Sequence, residues 1–391
     1  MRVAIVTESF PPDINGVAHS VLRTAEHLVR RGHEPLVIAP ASAAPQTAPD
    51  PCPVVRLPAL PLPGYPQVRL ALPTRRLEQL IAGHRPDLVH LAGPFVLGAR
   101  GMAAADRLGI PAVAVYQTDL AGYARAYRAG SSLGEVAAWR RLRTVHCAAM
   151  RTLAPSTPAA QDLTAHGVPR VRLWQRGVDS VRFDPEHRDE ELRRRLAPGG
   201  EVLVGYVGRL APEKRVDLLA GVAALPGVRL VVVGEGPSEP MLRQALPGAA
   251  FLGRMTGDDL AALYASLDVF VHTGPLETFC QTIQEAMASG VAVVGPAVGG
   301  PLDLVAHHRT GLLVQPRNER AVTEAVAALA ADPAARARFG EAARADVAGR
   351  TWESVGDQLI DHYREVLAEY RFVRAAAAAE RTAGAAGGAA A

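Results

Sequence analysis

The sequence predicts an α/β fold of two similar, doubly wound parallel-sheet domains joined by a connector. Three observations carry this. At 391 residues the chain exceeds one ordinary core, and two units of about 170–200 residues are its natural division. Short Val/Ile/Leu runs alternate with longer amphipathic stretches, the signature of parallel α/β units. The alternation stops near residue 175, crosses a charged stretch, and restarts after Pro198-Gly199-Gly200.

In the first half the expected strands are Val3–Thr7, Pro35–Ala39, Val54–Leu57, Leu88–Leu91, Ala112–Tyr116, Thr152–Ala154 and Val171–Trp174. Between the first two, Val17, Val21, Leu22, Ala25, Leu28 and Val29 fall on one face of a helix over Val17–Arg30. Gly32 stands where a C-terminal glycine ends it. The Ala/Pro-rich stretch Ala41–Pro53 reads as a loop. Leu72–Ala82 reads as an amphipathic helix, with Arg75 and Arg76 at its start and Leu77, Leu80 and Ile81 on its apolar side. The connector holds Arg176-Gly177-Val178-Asp179 and a charged stretch from Asp184 to Arg195. Expected strands then resume at Val202–Val207, Arg229–Val233, Ala250–Leu252, Val269–His272, Val291–Val294 and Leu312–Val314, with helices between, including Gln281–Ser289. Beyond Pro316 the pattern is helical through Val322–Ala330, Pro333–Val347 and Trp352–Arg374. The Ala/Gly-rich residues 375–391 read as a disordered tail. The division is a first domain at 1–178, a second at 179–350, a helix at 351–374 crossing back to the first domain, and the tail. Paired doubly wound sheets bind ligands at the carboxyl ends of their strands, so the cleft between domains is the expected site.

Hydrophobic residues make up 49% of the chain and aromatics only 5%, so both cores rest on Ala, Val and Leu. Cys52, Cys147 and Cys280 form neither a disulfide framework nor a metal-ligand spacing, which fits a reducing cytosol. The first residues turn polar too early for a signal peptide, and no apolar run approaches the roughly 18 residues of a membrane span. A cytoplasmic protein is expected. The net charge of +3 is uneven: residues 1–150 hold 16 arginines against 10 acidic residues, and the remainder 26 basic against 29 acidic. That excess fits either an anionic partner for the first half or scattered solvated arginine. Arg69, and Arg140, Arg141 and Arg143 beside Trp139, are candidates to join Arg75 and Arg76 on one basic face.

Two segments carry chemistry. Of 42 basic residues only Lys214 is a lysine. It follows an apolar run and the turn Gly208-Arg209, and is expected to open the next helix, where exposed amides and the helix dipole favour phosphate. Arg209 adds a planar fork of donors. A plain surface Arg–Lys pair flanking a turn fits equally well. The second segment is Glu277-Thr278-Phe279-Cys280-Gln281-Thr282-Ile283-Gln284-Glu285, after a strand and a Gly-Pro turn. Amides of Phe279, Cys280 and Gln281 would face a phosphate there, and the two carboxylates sugar hydroxyls. Taken singly, Glu277 also fits a helix-start acid and Glu285 a solvated helix face.

With Glu8-Ser9-Phe10-Pro11-Pro12-Asp13-Ile14-Asn15-Gly16-Val17, Gly208-Arg209-Leu210-Ala211-Pro212-Glu213-Lys214, Glu277-x₇-Glu285, Arg176-Gly177-Val178-Asp179 and Gly299-Gly300-Pro301, the chain resembles the retaining, nucleotide-sugar-dependent glycosyltransferases of family 4 (GT4). These carry two facing Rossmann-like domains, the GT-B fold. The resemblance covers nearly all of residues 1–370. Val115-Tyr116-Gln117-Thr118-Asp119 with Ala121-Gly122 makes it most similar to the actinobacterial GDP-mannose-dependent α-mannosyltransferases, which build glycolipids. The resemblance implies a first domain facing the acceptor and a second binding the nucleotide sugar. It implies that Arg209 and Lys214 hold the donor diphosphate as leaving group, where preorganised cations lower a barrier most. Glu285 would accept from the ribose hydroxyls and Glu277 would contact the hexose, near Phe279, Cys280 and Gln281. Gly16 would let backbone approach the phosphate or reacting sugar. Arg254 would lie near the base. Many relatives carry His where this chain has Gln117, and an amide cannot serve as a proton-transfer base. Asp119 fits an acceptor-orienting group and a loop acid alike.

The implied activity is hexosyl transfer from GDP-mannose, with no permanently bound cofactor, to a lipid-linked acceptor. Arg75 and Arg76 would meet the acceptor or an anionic membrane at the inner face of the plasma membrane. No metal is expected: there is no DxD triplet, and Asp258-Asp259 reads as an N-cap pair. A soluble inositol-phosphate acceptor would leave every donor residue unchanged. A dinucleotide oxidoreductase is disfavoured because the first strand is not followed by G-x-G-x-x-G. A carbohydrate-binding module would need no diphosphate cradle. Nothing points to a nucleic-acid partner.

Overall fold

The computed structural model describes all residues except 14, 43–44, 46–48, 63–64, 73–74, 123–131 and 389–391. The first half forms strands β1 (Arg2–Val6), β2 (Glu34–Pro40), β3 (Val54–Leu57), β4 (Ala59–Leu62), β5 (Tyr65–Ala71), β6 (Leu88–Leu91), β7 (Ala112–Val115), β8 (Arg151–Ala154) and β9 (Val171–Leu173). Seven of them make a parallel sheet in the order β3-β2-β1-β6-β7-β8-β9, while β4 and β5 pair as a separate antiparallel ribbon. The second half supplies β10 (Val202–Val207), β11 (Val228–Val233), β12 (Ala250–Gly253), β13 (Val269–Val271), β14 (Ala292–Pro296) and β15 (Gly311–Val314), ordered β12-β11-β10-β13-β14-β15. All thirteen expected strands form, within a residue or two at their ends. Their continuous apolar runs suit strands covered on both faces. Val3, Ala4, Ile5 and Val6, for example, are fully buried.

Both sheets reverse strand order once, between β1 and β6 and between β10 and β13. These are topological switch points, where the loops leaving adjacent strands diverge and open a crevice. The loops that leave them include Thr7–Asn15, Ala92–Phe95, Gly208–Lys214 and His272–Cys280. Three sequence-singled segments therefore lie at crevices.

The helix Trp352–Gly388 returns to the first sheet. Its Val355, Leu359, Ile360, Tyr363, Val366 and Leu367 share a core with Val3, Ile5, Val21 and Leu28. Buried Arg151 pairs with its Glu365 and Glu369, and Tyr363 Oη meets His90 Nδ1 at 2.6 Å. The chain crosses between halves twice, and the crossings touch: Val178 N–H donates to the Arg350 carbonyl at 2.8 Å. A Cβ on Gly177 would come within 2.6 Å of the Trp352 backbone, so this contact requires glycine.

Three expectations are corrected, and one unexpected element appears. Of the residues read as a disordered tail, 375–388 continue the C-terminal helix, and 389–391 lie outside the described residues; alanine is the strongest helix former, and no proline interrupts the stretch. The β4–β5 ribbon was not expected, because its prolines mask the strand pattern. Lys214 does not open a helix. It closes a 3₁₀ turn, Pro212–Lys214, after which Arg215 turns left-handed at φ 50°. Asp258 and Asp259 lie inside the first turn of Gly257–Ser266, behind Thr256 at the N-cap position. Among the described residues no helix is long and apolar enough to cross a membrane.

Candidate functional site

Lys214 and Glu277 are 63 residues apart, yet the crevice between β10 and β13 brings their side chains into an ion pair. His272, at the end of β13, adds its Nε2 at 3.1 Å from the same Glu277 oxygen. Its ring stacks on buried Tyr206 of β10, centroids 6.1 Å apart. Burial alone would raise the Glu277 pKa, but Lys214 and His272 outweigh it and hold the group at about 2. Burial also works against charge on His272, but Cys280 and Glu277 hold it up at about 9. Thr273 Oγ1 donates to the Lys214 carbonyl at 2.7 Å, fixing the turn that carries the lysine. Arg209 pairs with Glu213, whose side chain is 1% exposed, while the arginine side chain remains 36% exposed.

The next loop is shaped from outside. Gly300 N–H donates to the Glu277 carbonyl at 2.8 Å. A Cβ on Gly300 would lie 2.1 Å from the Phe279 carbonyl, and one on Gly299 2.5 Å from that of Glu277. Phe279 and Cys280 are buried. Cys280 takes the N-cap position of Gln281–Ala288 in a left-handed conformation, φ 85°, with no side-chain bond to the helix amides. That leaves the first turn able to bind an anion. Glu285 keeps partial exposure and accepts from Tyr264 Oη at 3.2 Å. Burial raises its pKa to about 7, although Tyr264 and Gln281 pull the other way.

The first sheet contributes its own crevice. Asn15 Oδ1 caps the helix Gly16–Arg30 through the amides of Val17 and Ala18, at 3.0 and 2.9 Å. Gln117 is buried at the end of β7, where its Nε2 donates to the Ala92 carbonyl at 3.1 Å. Its Oε1 accepts from Arg176 Nη2 at 2.6 Å, and Arg176 Nη1 donates to the Gly16 carbonyl at 2.7 Å. The halves meet here: Thr278 Oγ1 donates to the Gln117 carbonyl at 3.2 Å, and Gln281 Nε2 to the Gly177 carbonyl at 3.1 Å. Gly16, Gln117, Arg176, Thr278 and Gln281 thus form one continuous seam.

The other expected residues are placed differently. Asp119 Oδ1 accepts from the Gly122 amide at 2.7 Å, a local helix-start bond that favours the loop-acid reading. Arg254 is exposed just past β12. Arg75 and Arg76 are exposed at the start of Arg76–His84, with Leu77 and Ile81 buried. Arg140 and Arg143 are exposed, but Arg69 and Arg141 turn inward to the Ala59 and Phe95 carbonyls. The expected basic face is therefore smaller than the sequence suggests. Sequence reasoning missed His272 and Tyr264, and took Arg176 only as part of a junction motif. The signal for His272 was its place two residues before Gly274-Pro275, at a strand end.

Residues 14–182 match the family model described as Glycosyltransferase Family 4, and residues 187–346 the model described as Glycosyl transferases group 1. The chain is 51% identical to a GDP-mannose-dependent alpha-mannosyltransferase of Mycolicibacterium smegmatis, covering 96% of this chain and 100% of that protein. It is 49% identical to the protein of the same name in Mycobacterium tuberculosis, covering 94% and 97%. The solved structure of Anabaena Alr3699/HepE in complex with UDP superposes with a TM-score of 0.76 at 20% identity, over 93% of this chain and 100% of that one. At that identity the likeness concerns the fold.

Proposed function

The chain belongs to the family 4 glycosyltransferases, and we propose that it is a retaining enzyme transferring mannose from GDP-mannose to a lipid-linked acceptor. The observation that supports this reading best is the crevice between β10 and β13. It gathers Lys214, Arg209, an anion-competent helix start and two carboxylates of opposite character. Lys214 and Arg209 hold the diphosphate and stabilise the charge it gains as the sugar departs. The ammonium then exchanges part of its contact with Glu277 for phosphate oxygens. Glu277 stays ionised and accepts from hexose hydroxyls. Glu285 accepts from the ribose. Gln117 takes no proton; in a front-face displacement the leaving diphosphate accepts the proton of the incoming hydroxyl. The relatives named for GDP-mannose support the choice of donor.

The lipid acceptor rests on the first half. Arg75, Arg100 and Arg107 line a surface hollow of about 440 Å³ with Leu77, Glu78, Ala103 and Ala104, where Glu78 pairs with Arg107 at 2.6 Å and leaves Arg75 and Arg100 as the excess positive charge. Basic residues at an anionic surface contribute on the order of 1 kcal/mol each, enough for reversible docking. The test has two arms. GDP-mannose, GDP-glucose, UDP-glucose and UDP-GlcNAc are offered to the purified protein and turnover is followed by mass spectrometry; GDP-mannose should be preferred. Co-sedimentation with liposomes, with and without anionic lipid, should show salt-sensitive binding only to the anionic ones. Equal partitioning throughout, with efficient turnover of a soluble inositol phosphate, would replace the lipid acceptor with a soluble one.

A further inference from the structure

Arg176 is a buried guanidinium to which the reading above gives no task. It is 7% exposed. Its two described side-chain partners are neutral, the Gly16 carbonyl and Gln117 Oε1. Among the described residues it forms no ion pair. The one carboxylate that acts on it is Glu277, already held by Lys214 and His272. A buried cation without a counter-charge is costly unless an anion arrives to balance it.

Its position indicates where that anion sits. The Arg176 carbonyl accepts from Gln284 Nε2 at 3.1 Å, which ties the connector to the helix carrying Glu285. Its guanidinium reaches the first residue of Gly16–Arg30. Arg176 therefore spans the two switch-point crevices. The surroundings offer little relief. Asp179 is shared by Arg23 and Arg182, at 3.4 and 4.0 Å, and Arg23 also holds Glu26. His19, stacked edge-on against Trp352, is kept neutral by burial and then by Arg23, Arg176 and Arg182.

We propose that Arg176 is the third cation of the donor site, its charge balanced by the donor's diphosphate, and that Gln117 is the positioning residue that aims it. The inference rests on the diphosphate reading of Lys214 and Arg209. It also gives Gln117 a task suited to an amide. One planar group accepts from Arg176 and donates to the Ala92 carbonyl, with no proton to gain or lose.

The test uses the full chain with Arg176→Met, Arg176→Lys and Gln117→Leu. GDP and GMP are titrated calorimetrically, kcat and KM are measured with the donor, and thermal unfolding is followed alongside. Arg176→Met should weaken GDP roughly tenfold or more, about the worth of one charged contact, and GMP much less. Arg176→Lys should recover most of the GDP affinity. Gln117→Leu should lower kcat more than it raises KM. A merely structural Arg176 would lower the unfolding temperature and leave the GDP-to-GMP ratio unchanged in all three variants; that result overturns the proposal. Should Arg176→Met fail to fold, the same ratio in Arg176→Lys and Gln117→Leu decides. If Lys214→Ala and Arg209→Ala also leave the ratio unchanged, the diphosphate reading falls. If those two change it and the Arg176 variants do not, only this inference falls.

Discussion

Lys214 and Glu277 illustrate how one pair sets two properties. The ammonium holds the carboxylate ionised, and the carboxylate holds the ammonium where a phosphate would meet it. Lys214→Ala is expected to lower kcat/KM by roughly 10²-fold, the scale of one lost charged contact in a transition state. It should also let the Glu277 pKa rise, since of its two ion-pair partners only His272 remains. Lys214→Ala/Glu277→Gln should therefore regain thermal stability over Lys214→Ala without regaining activity. Activity within about threefold of wild type in Lys214→Ala would remove the lysine from the phosphate site. Arg209→Ala should cost activity on the same scale, and also stability, because Arg209 is a partner of the buried Glu213.

Glu285 behaves oppositely. Burial lifts its pKa to about 7 from an ordinary 4.5. Between those values the folded protein keeps a proton that the unfolded chain has lost, so this group's contribution to stability falls as pH rises through that window. Glu285→Gln should then unfold at a higher temperature than wild type at pH 8, by an amount that shrinks toward pH 4.5. Ribose hydroxyls donating to the carboxylate would lower its pKa. GDP binding near pH 6.5 should therefore release protons, measurable by calorimetry in buffers of different ionisation enthalpy, and Glu285→Gln should reduce the release to the part that the terminal phosphate gives up on meeting Lys214 and Arg209. Equal release from both proteins would place the ribose elsewhere.

At the scale of elements, what was legible followed local pattern. Thirteen strands and their division into two sets could be read from apolar runs, because strands covered on both faces need such runs wherever they lie. The β4–β5 ribbon and the 3₁₀ turn at Lys214 could not: proline hides the first, and the second depends on Arg215 turning left-handed. In the site, Glu277, Glu285, Arg209 and Lys214 stood out because their types and spacing are local. That Lys214 meets Glu277, or Arg176 meets Gln117 and Gly16, depends on which strand lies beside which, and sequence distance carries no trace of it. Gly299-Gly300 was visible only as a motif; the structure supplies its reason, a close backbone approach that shapes the Glu277–Phe279 loop. Gly300→Ala should push that loop outward. The expected result is weaker GDP binding with a small change in unfolding temperature, since the loop lies outside the sheet. Undiminished GDP affinity would show that the loop's path is set elsewhere.

Among the described residues, few polar bonds hold the two sheets together. Besides the Thr278–Gln117 and Gln281–Gly177 contacts, Ser156 Oγ donates to the Thr278 carbonyl at 2.7 Å, and the Thr157 amide to Asp303 Oδ2 at 2.6 Å. The last is unusual in origin. Asp303, from the second half, satisfies an amide at the start of Thr157–Ala165 in the first. The two crossings of the chain touch where Val178 meets Thr351 and Gly177 packs under Trp352. Two sheets joined by paired crossings and, among the described residues, a handful of hydrogen bonds are expected to hinge at the crossings. Nucleotide would favour the closed arrangement by touching both crevices. Asp303→Ala removes one closing bond and touches neither crevice. It should raise the radius of gyration of the free protein in solution scattering and enlarge the compaction seen on adding saturating GDP. KM for the donor should rise while kcat changes little, because closure is then driven by the ligand alone. An unchanged radius in both proteins, with and without GDP, would mean that the halves are fixed as they stand and that the donor enters a preformed cleft.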